Sequence, residues 1–189
     1  MKRHRILNDP HPTPTDGTVV LRRWTVADLG CVRAASEEGR VYEYTSVPER
    51  FTEEAGRAWI RRQQERTRGG QGWSLAIADG RSAKALGCGV LMLRPQVGVA
   101  GIGYWLIPKA RNRGYATRAV GLLTTWGLGA GGLDRIEAWV EPDNAASVRV
   151  LSRCGFEYEG RLRSFLKFPS RRADALAFSR IQKPRNPEP

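Results

Sequence analysis

With 189 residues, 41% of them apolar and 26% charged, the chain is long enough for one domain with a sizeable core, and a fibrous or wholly disordered polymer is excluded. Lys and Arg outnumber Asp and Glu by 31 to 19, a formal charge of +12, so an anionic partner is expected: a nucleotide cofactor, a nucleic acid or an acidic protein. The longest apolar runs, such as 119–126, stop well short of the roughly 18 residues a membrane span needs, and no membrane partner is expected.

The basic start at residues 2–5 is followed by Asn8, Asp9, Pro10 and Pro12 where a signal peptide needs an apolar stretch, so the expected location is cytoplasmic. Cys31, Cys88 and Cys154 are odd in number and lie in core-like segments, which argues against a disulfide framework. Residues 1–16, with two histidines and three prolines, are expected to form a flexible lead-in. Residues 17–182 are expected to form the folded domain, and residues 183–189, again with three prolines, a flexible tail.

The folded part opens at 18–24, where apolar and polar residues alternate (Val20, Arg22, Trp24) as in a half-buried strand. Thr25, with Asp28 three positions on, has capping-box spacing and predicts a helix to about residue 38. Residues 40–51 hold Tyr42, Tyr44 and Pro48 without a clean period and are predicted to be loop. Thr52, Glu53 and Glu54 place a cap and two acids at the positive end of a helix dipole, and that helix is expected to turn Trp59 and Ile60 inward before stopping at Gly69 and Gly70. Strands are expected at 73–78 and 86–93 about a polar turn at Asp79 and Gly80, then at 102–107, as an antiparallel run.

The pattern then changes. Residues 114–128 carry Ala119, Leu122, Leu123 and Trp126 on one helical stripe and end in Gly127, Gly129, Gly131 and Gly132. A strand at Arg135–Val140, a short helix at 144–153 and strands at 156–161 and 173–181 complete the body. This order gives an α/β (α+β) fold, a mixed and mostly antiparallel central sheet of about seven strands with flanking helices.

Residues 103–117 carry the densest chemistry. A strand runs into a turn that opens a helix, and the first amides of a helix lack carbonyl partners, so a glycine-containing entry makes a pocket for phosphate. Gly114 permits close approach, small Ala116 keeps it open, and Arg111 and Arg113 supply charge. Neither of the familiar glycine-rich nucleotide motifs is present. The segment resembles the pyrophosphate loop of the GNAT superfamily of N-acetyltransferases, written Gln/Arg-x-x-Gly-x-Gly/Ala and matched by Arg111, Gly114 and Ala116. Ile102-Gly103-Tyr104-Trp105-Leu106 precedes it; Asn144-Ala145-Ala146-Ser147, Gly155-Phe156, Glu159-Gly160-Arg161-Leu162-Arg163 and Asp174 follow. In that order these are similar to the RimJ/RimL-like branch over about residues 18–181.

The resemblance implies an acyl-CoA N-acyltransferase fold with a splayed strand pair, here 102–107 and Arg135–Val140, and acetyl-CoA as cofactor with its pantetheine arm between the two. The backbone of Trp105, Leu106 and Ile107 would pair with the arm as a sheet edge does. Arg111, Asn112, Arg113, Gly114, Tyr115, Ala116 and Thr117 would hold the diphosphate. Asn144 matches a position that hydrogen-bonds the arm, and reads equally as a plain helix N-cap. Ser147 matches a hydroxyl placed to protonate the leaving thiolate; other branches use a Tyr four positions later, here Leu151.

No histidine follows His11, so a His-based triad and a His-rich metal site are excluded from the folded body and no metal is expected. The general base must be a carboxylate, a terminus or water. Glu137 and Glu141 share one strand face about Trp139, and Glu43 lies in the loop between the first two helices; all three are candidates, and the strand pair reads equally as edge charge. Relatives often carry an acid just before the Ile-Gly-Tyr-Trp segment, where this chain has Gly101. Cys154 lacks a base at a recognisable spacing and reads as a core cysteine.

The expected partner is an amine acceptor, a small molecule or a protein N-terminus. At pH 7 an α-amine with pKa near 8 forfeits ~1.4 kcal/mol to be neutral and a lysine near 10.4 forfeits ~4.6, so a site without a strong base suits the α-amine. Two alternatives of other classes stand beside this: a nucleic-acid or ribosome-associated binding protein, favoured by the +12 charge, and a catalytically silent acyl-CoA sensor, favoured by Gly101 and Leu151. The chain reads as a monomer or homodimer.

Overall fold

A computed structural model describes residues 9–38 and 40–182. The flexible segments expected at the two ends fall at 1–8 and 183–189 outside the described residues. Residues 9–16 lie against the domain, with Thr15 bridging Val20 and Asp16 accepting from Arg118 Nη1 at 2.7 Å.

β1 (Val19–Arg22) leads into the helix predicted from Thr25, which begins as a 3-10 turn at Val26–Asp28 and continues as α1 (Leu29–Ser36). Asp28 causes that tight start. Its carboxylate accepts the Thr25 N–H at 2.8 Å and hydroxyl at 3.2 Å, and it also takes both ends of the Arg22 guanidinium at 2.7 and 2.8 Å. Burial pushes the Asp28 carboxyl up, but these bonds outweigh it and hold the group below the usual range.

Residues 40–51 depart from the loop predicted there, because Arg40–Tyr44 form a short helix, α2. Five residues are too few to show a period, and tertiary contacts supply the order instead. Val41 is buried, the Thr45 hydroxyl donates to the Val41 carbonyl at 2.6 Å, and Trp59 Nε1 donates to Ser46 Oγ at 3.2 Å. α3 (Glu53–Arg68) starts as predicted, with the Thr52 hydroxyl accepting from Ala55 N–H at 3.0 Å.

β2 (Gly72–Asp79), β3 (Ala85–Leu93) and β4 (Val99–Leu106) form the antiparallel run, followed by α4 (Tyr115–Leu128), β5 (Arg135–Val140), α5 (Ala145–Arg153), β6 (Glu157–Lys167) and β7 (Arg172–Ile181). β6 runs on to Lys167, past the 161 expected from sequence, because its basic outer half pairs with β7 at Leu162–Ala175, Leu166–Ala173 and Lys167–Arg172. Two register shifts, at 158–160 and 162–166, bend it.

All seven strands lie in one sheet of order β1-β2-β3-β4-β5-β7-β6, mixed and mostly antiparallel as expected. Trp105 packs on Trp24 and on Trp59 of α3 at 6.1 Å, whereas its neighbour Tyr104 reaches α5. Successive side chains of a strand point to opposite faces, so α1 and α3 cover one face and α4 and α5 the other. No helix among the described residues is long and apolar enough to cross a membrane.

Candidate active site

β4 and β5 run parallel but pair only at Val99–Arg135, Ala100–Ile136 and Gly101–Glu137. Beyond that fork β4 keeps β3 as its neighbour and β5 keeps β7, so an opening lies between them. One bond fixes what faces it. Ile107 N–H donates to Leu86 O at 2.9 Å, and alternate residues of an antiparallel strand turn their backbone groups to the same side. Trp105 therefore also faces β3, while Tyr104 and Leu106 present N–H and C=O to the opening.

The residues expected to line the opening were Trp105, Leu106 and Ile107. Only Leu106 turns its backbone to the opening, joined by Tyr104, and the Ile107 carbonyl is spent on Ala110 N–H at 2.9 Å.

The turn into α4 is made by two left-handed residues, Asn112 at φ 59° and the N-cap Gly114 at φ 78°. A Cβ on Gly114 would meet no atom within 4 Å, so open space lies at the helix entry. The amides of Tyr115, Ala116 and Thr117 belong to that unbonded first turn, since intrahelical bonding begins with Arg118 N–H to Gly114 O at 3.1 Å. Exposed Arg113 makes no hydrogen bond or ion pair among the described residues.

Arg111, expected at the diphosphate, makes two internal hydrogen bonds. Its Nε donates to the Leu106 carbonyl at 3.0 Å and its Nη1 to Glu38 Oε1 at 2.6 Å, so it seals one carbonyl of the opening and ties the loop to the end of α1. Glu38 Oε2 is buried without a partner. A groove of about 490 Å³ runs beside the helix entry, lined by Thr117 and Gly121 of α4, Arg153, Cys154, Gly155 and Arg180. Cys154 is a buried thiol whose Sγ lies 3.3 Å from the Thr117 carbonyl, as the core reading implies.

On the other side of the opening, Asn144 caps α5, its Oδ1 accepting from Ser147 N–H at 3.0 Å. The cap uses only the oxygen; the Asn144 amide nitrogen makes no hydrogen bond among the described residues. The Tyr104 hydroxyl donates to the Ser147 carbonyl at 3.4 Å, which brings the opening of β4 to the first turn of α5. Burial pushes the Tyr104 phenol up to about 12, against a smaller opposing effect of the Ser147 contact, so it keeps its proton at neutral pH. Leu151, in place of the tyrosine of other branches, is fully buried.

The three carboxylates are not brought together. Glu137 sits at the fork and accepts from Arg135 Nε at 2.9 Å. Glu141 is held by Arg171, whose bonds outweigh its burial and keep it a carboxylate below the usual range. Glu43 is exposed on α2 with no hydrogen bond or ion pair among the described residues.

Arg171 also donates to Tyr44 Oη at 3.1 Å and lies 4.4 Å over Phe168, which meets Tyr44 edge-on at 5.0 Å; this clasp joins α2 to the β6–β7 turn. A second groove, about 520 Å³, runs from Glu137 and Trp139 past Glu159 and Arg161 to Phe165. Tyr104, Glu38 and Phe165 were not singled out from sequence. Tyr104 lies inside the quoted motif and strand alternation could have found it; the others depend on contacts far along the chain.

Residues 18–157 match the family described as Acetyltransferase (GNAT) domain. The chain is 38% identical over 96 residues to the uncharacterized N-acetyltransferase p20 of Bacillus licheniformis, covering 51% of this chain and 54% of that protein. It is 40% identical over 86 residues to the uncharacterized N-acetyltransferase YoaA of Bacillus subtilis, covering 46% and 48% respectively. The chain thus spans about half the length of these curated relatives. Among solved structures, RimL, a ribosomal L7/L12 alpha-N-protein acetyltransferase in complex with coenzyme A, superposes with a TM-score of 0.78 at 20% identity over 89% of this chain and 97% of that one. That likeness establishes the fold.

Proposed function

Because the chain belongs to the GNAT acetyltransferase family, we propose that it transfers an acetyl group from acetyl-CoA to a primary amine, an α-amine by preference. The observation that carries this is the fork after Gly101 and Glu137, which leaves Tyr104 and Leu106 backbone groups without a strand opposite them, next to a glycine-entered helix. The residues present fit the donor: an open strand edge for amides, unbonded helix amides for a diphosphate, and Arg113, Arg153 and Arg180 for further phosphate charge.

Bound there, acetyl-CoA supplies a thioester whose acyl carbon a neutral amine can attack. Tyr104 and Leu106 would orient the arm, and Tyr115, Ala116 and Thr117 would hold the diphosphate through their amides. Asn144 would use its free amide nitrogen toward the arm while its oxygen keeps the α5 cap. Ser147 Oγ, one turn into α5, would relay to the departing thiolate the proton that the attacking nitrogen loses, with the protonated Tyr104 phenol close by.

Since Glu137 and Glu141 are tied to arginines, no poised base stands at the fork among the described residues. An acceptor that deprotonates in water therefore suits the site, and the ~3 kcal/mol advantage of an α-amine over a lysine side chain decides the preference. Calorimetry with acetyl-CoA, followed by free-thiol release with α-amine and lysine acceptors, tests the reading. Absence of acetyl-CoA binding at hundreds of micromolar removes it.

A further inference from the structure

Gly101 is the last β4 residue at the fork, and the space where its side chain would stand is filled by a cation. A Cβ built on Gly101 would lie 2.4 Å from Arg94 Nη2 and 2.8 Å from Arg94 Cζ. Arg94 directly follows β3, and its N–H donates to Val99 O at 2.8 Å, closing the turn into β4. From there its side chain crosses β4 toward β5, where the guanidinium sits 3.9 Å over the Trp139 ring. Phe165 meets the same indole at 4.6 Å. Cation–π attraction and this packing hold the guanidinium in place.

The cation is held but not satisfied. Its nearest acid is Glu137, with Nε 3.8 Å from Oε2, beyond hydrogen-bond reach. The other Glu137 oxygen accepts from Arg135, and Arg135 also takes both oxygens of Glu159, so the acids near the fork are already engaged. Among the described residues the Arg94 guanidinium donates no hydrogen bond, and its Nε is buried without a partner. The side chain retains 22% of its exposure, so the outer nitrogens can meet a ligand. A guanidinium presents a planar fork of donors that matches a carboxylate at two points.

We infer that Arg94 is a specificity-determining residue that pairs with a carboxylate of the acceptor, so that the preferred acceptors are amines carrying a carboxylate close to the reacting nitrogen. The inference rests on the acetyl-transfer reading, whose acceptor class it names. Free acidic amino acids and peptides with an acidic residue next to the amino terminus share that chemistry. Acceptors cationic throughout, such as polyamines, meet like charge at the fork.

The test uses the full chain, acetyl-CoA and free-thiol release. Acceptor pairs differ only by carboxylate against amide, with the α-carboxylate blocked in both: glutamic acid α-amide with glutaminamide, and carboxy-amidated peptides with Glu or Gln at the second position. The carboxylate member should have at least about tenfold higher kcat/KM, mainly through KM, as expected for a charged hydrogen-bonded pair. Arg94→Met should bring the ratio within about twofold, and Gly101→Ala, which displaces the guanidinium without removing it, should lower the ratio in the same direction. Whichever pair shows the larger ratio identifies the source.

A wild-type ratio near one, or a ratio that survives Arg94→Met, overturns the inference. Calorimetric binding of the same acceptors separates it from the transfer reading. Thiol release from no amine, with a binding preference that Arg94→Met abolishes, sinks the transfer reading alone; absence of any binding preference sinks the inference.

Discussion

Gly114 combines two demands that substitution can separate. It holds a left-handed φ, and the space in front of it is empty. Gly114→Ala meets no atom and should cost only the left-handed backbone, roughly 1–2 kcal/mol, read from the urea midpoint. Gly114→Trp adds a ring in that space and should abolish acetyl-CoA binding by calorimetry; unchanged affinity would place the diphosphate elsewhere. Ser147→Ala leaves the α5 cap intact because the cap uses its backbone N–H, so turnover should fall with acetyl-CoA affinity retained. If Tyr104→Phe instead removes most of the turnover and Ser147→Ala does not, the proton comes from the phenol. Gly114 as the entry to α4 and Asn144 as the cap of α5 were legible in sequence because neighbours within a turn set them. Arg111 was legible as a charge but not as a tether, since its partner Glu38 lies 73 positions away. Arg94 gave no signal at all, because its place depends on a turn geometry and on a glycine seven residues later.

Among the elements, those with a strong local pattern were readable: the Thr52 cap of α3, the stripe of α4 and the first strands. Two were misjudged for one reason, that distant contacts and not local period create them. α2 is fixed by Val41 in the core and by Trp59, and the outer half of β6 is fixed by β7. The clasp of Tyr44, Phe168 and Arg171 joins α2 to the turn that follows β6, so the two should move together. Arg171→Ala should speed hydrogen exchange over 41–45 and 165–171 alike and raise the acceptor KM, while acetyl-CoA affinity stays unchanged. Faster exchange confined to one side would mean that the clasp does not couple them. The Arg111–Glu38 pair joins α1 to the entry of α4 in the same manner. Arg111→Ala would leave Glu38 half-buried without its cation and should cost about 1–2 kcal/mol, less than a fully buried pair because Arg111 is partly exposed.

For the molecule as a whole, many arginines are held by internal acids. Arginines 22, 23, 57, 111, 118, 135, 161 and 171 all face carboxylates, and because the +12 charge already subtracts every acid, that excess remains for an anionic partner. These pairings predict a pH profile. Glu159, held chiefly by Arg135, and Asp79, held by the Ser82 amide and hydroxyl, both sit at about 2. Their stabilisation is complete above the unfolded carboxylate value near 4 and is lost as pH falls from there toward 2. Burial raises Cys31 to about 12 and Cys88 to about 11, so their contribution is intact below the unfolded thiol value near 8.5 and fades as pH rises toward those values. Thermal melts should give a plateau between about pH 5 and 8 with losses on both sides; a Tm already falling between pH 7 and 5 would contradict it.

β6 is one of the two edge strands of the sheet and, at eleven residues, long enough to template another chain. Its two register shifts break the straight row of donors and acceptors, and Arg161, Arg163 and Lys167 put like charges along it. An approaching copy of the same edge meets a mismatched ladder, and in parallel register it also meets like charge on its outer half. Continuous sheets across molecules are therefore disfavoured along this margin, which protects the protein from strand-to-strand aggregation and leaves any self-association to its other surfaces.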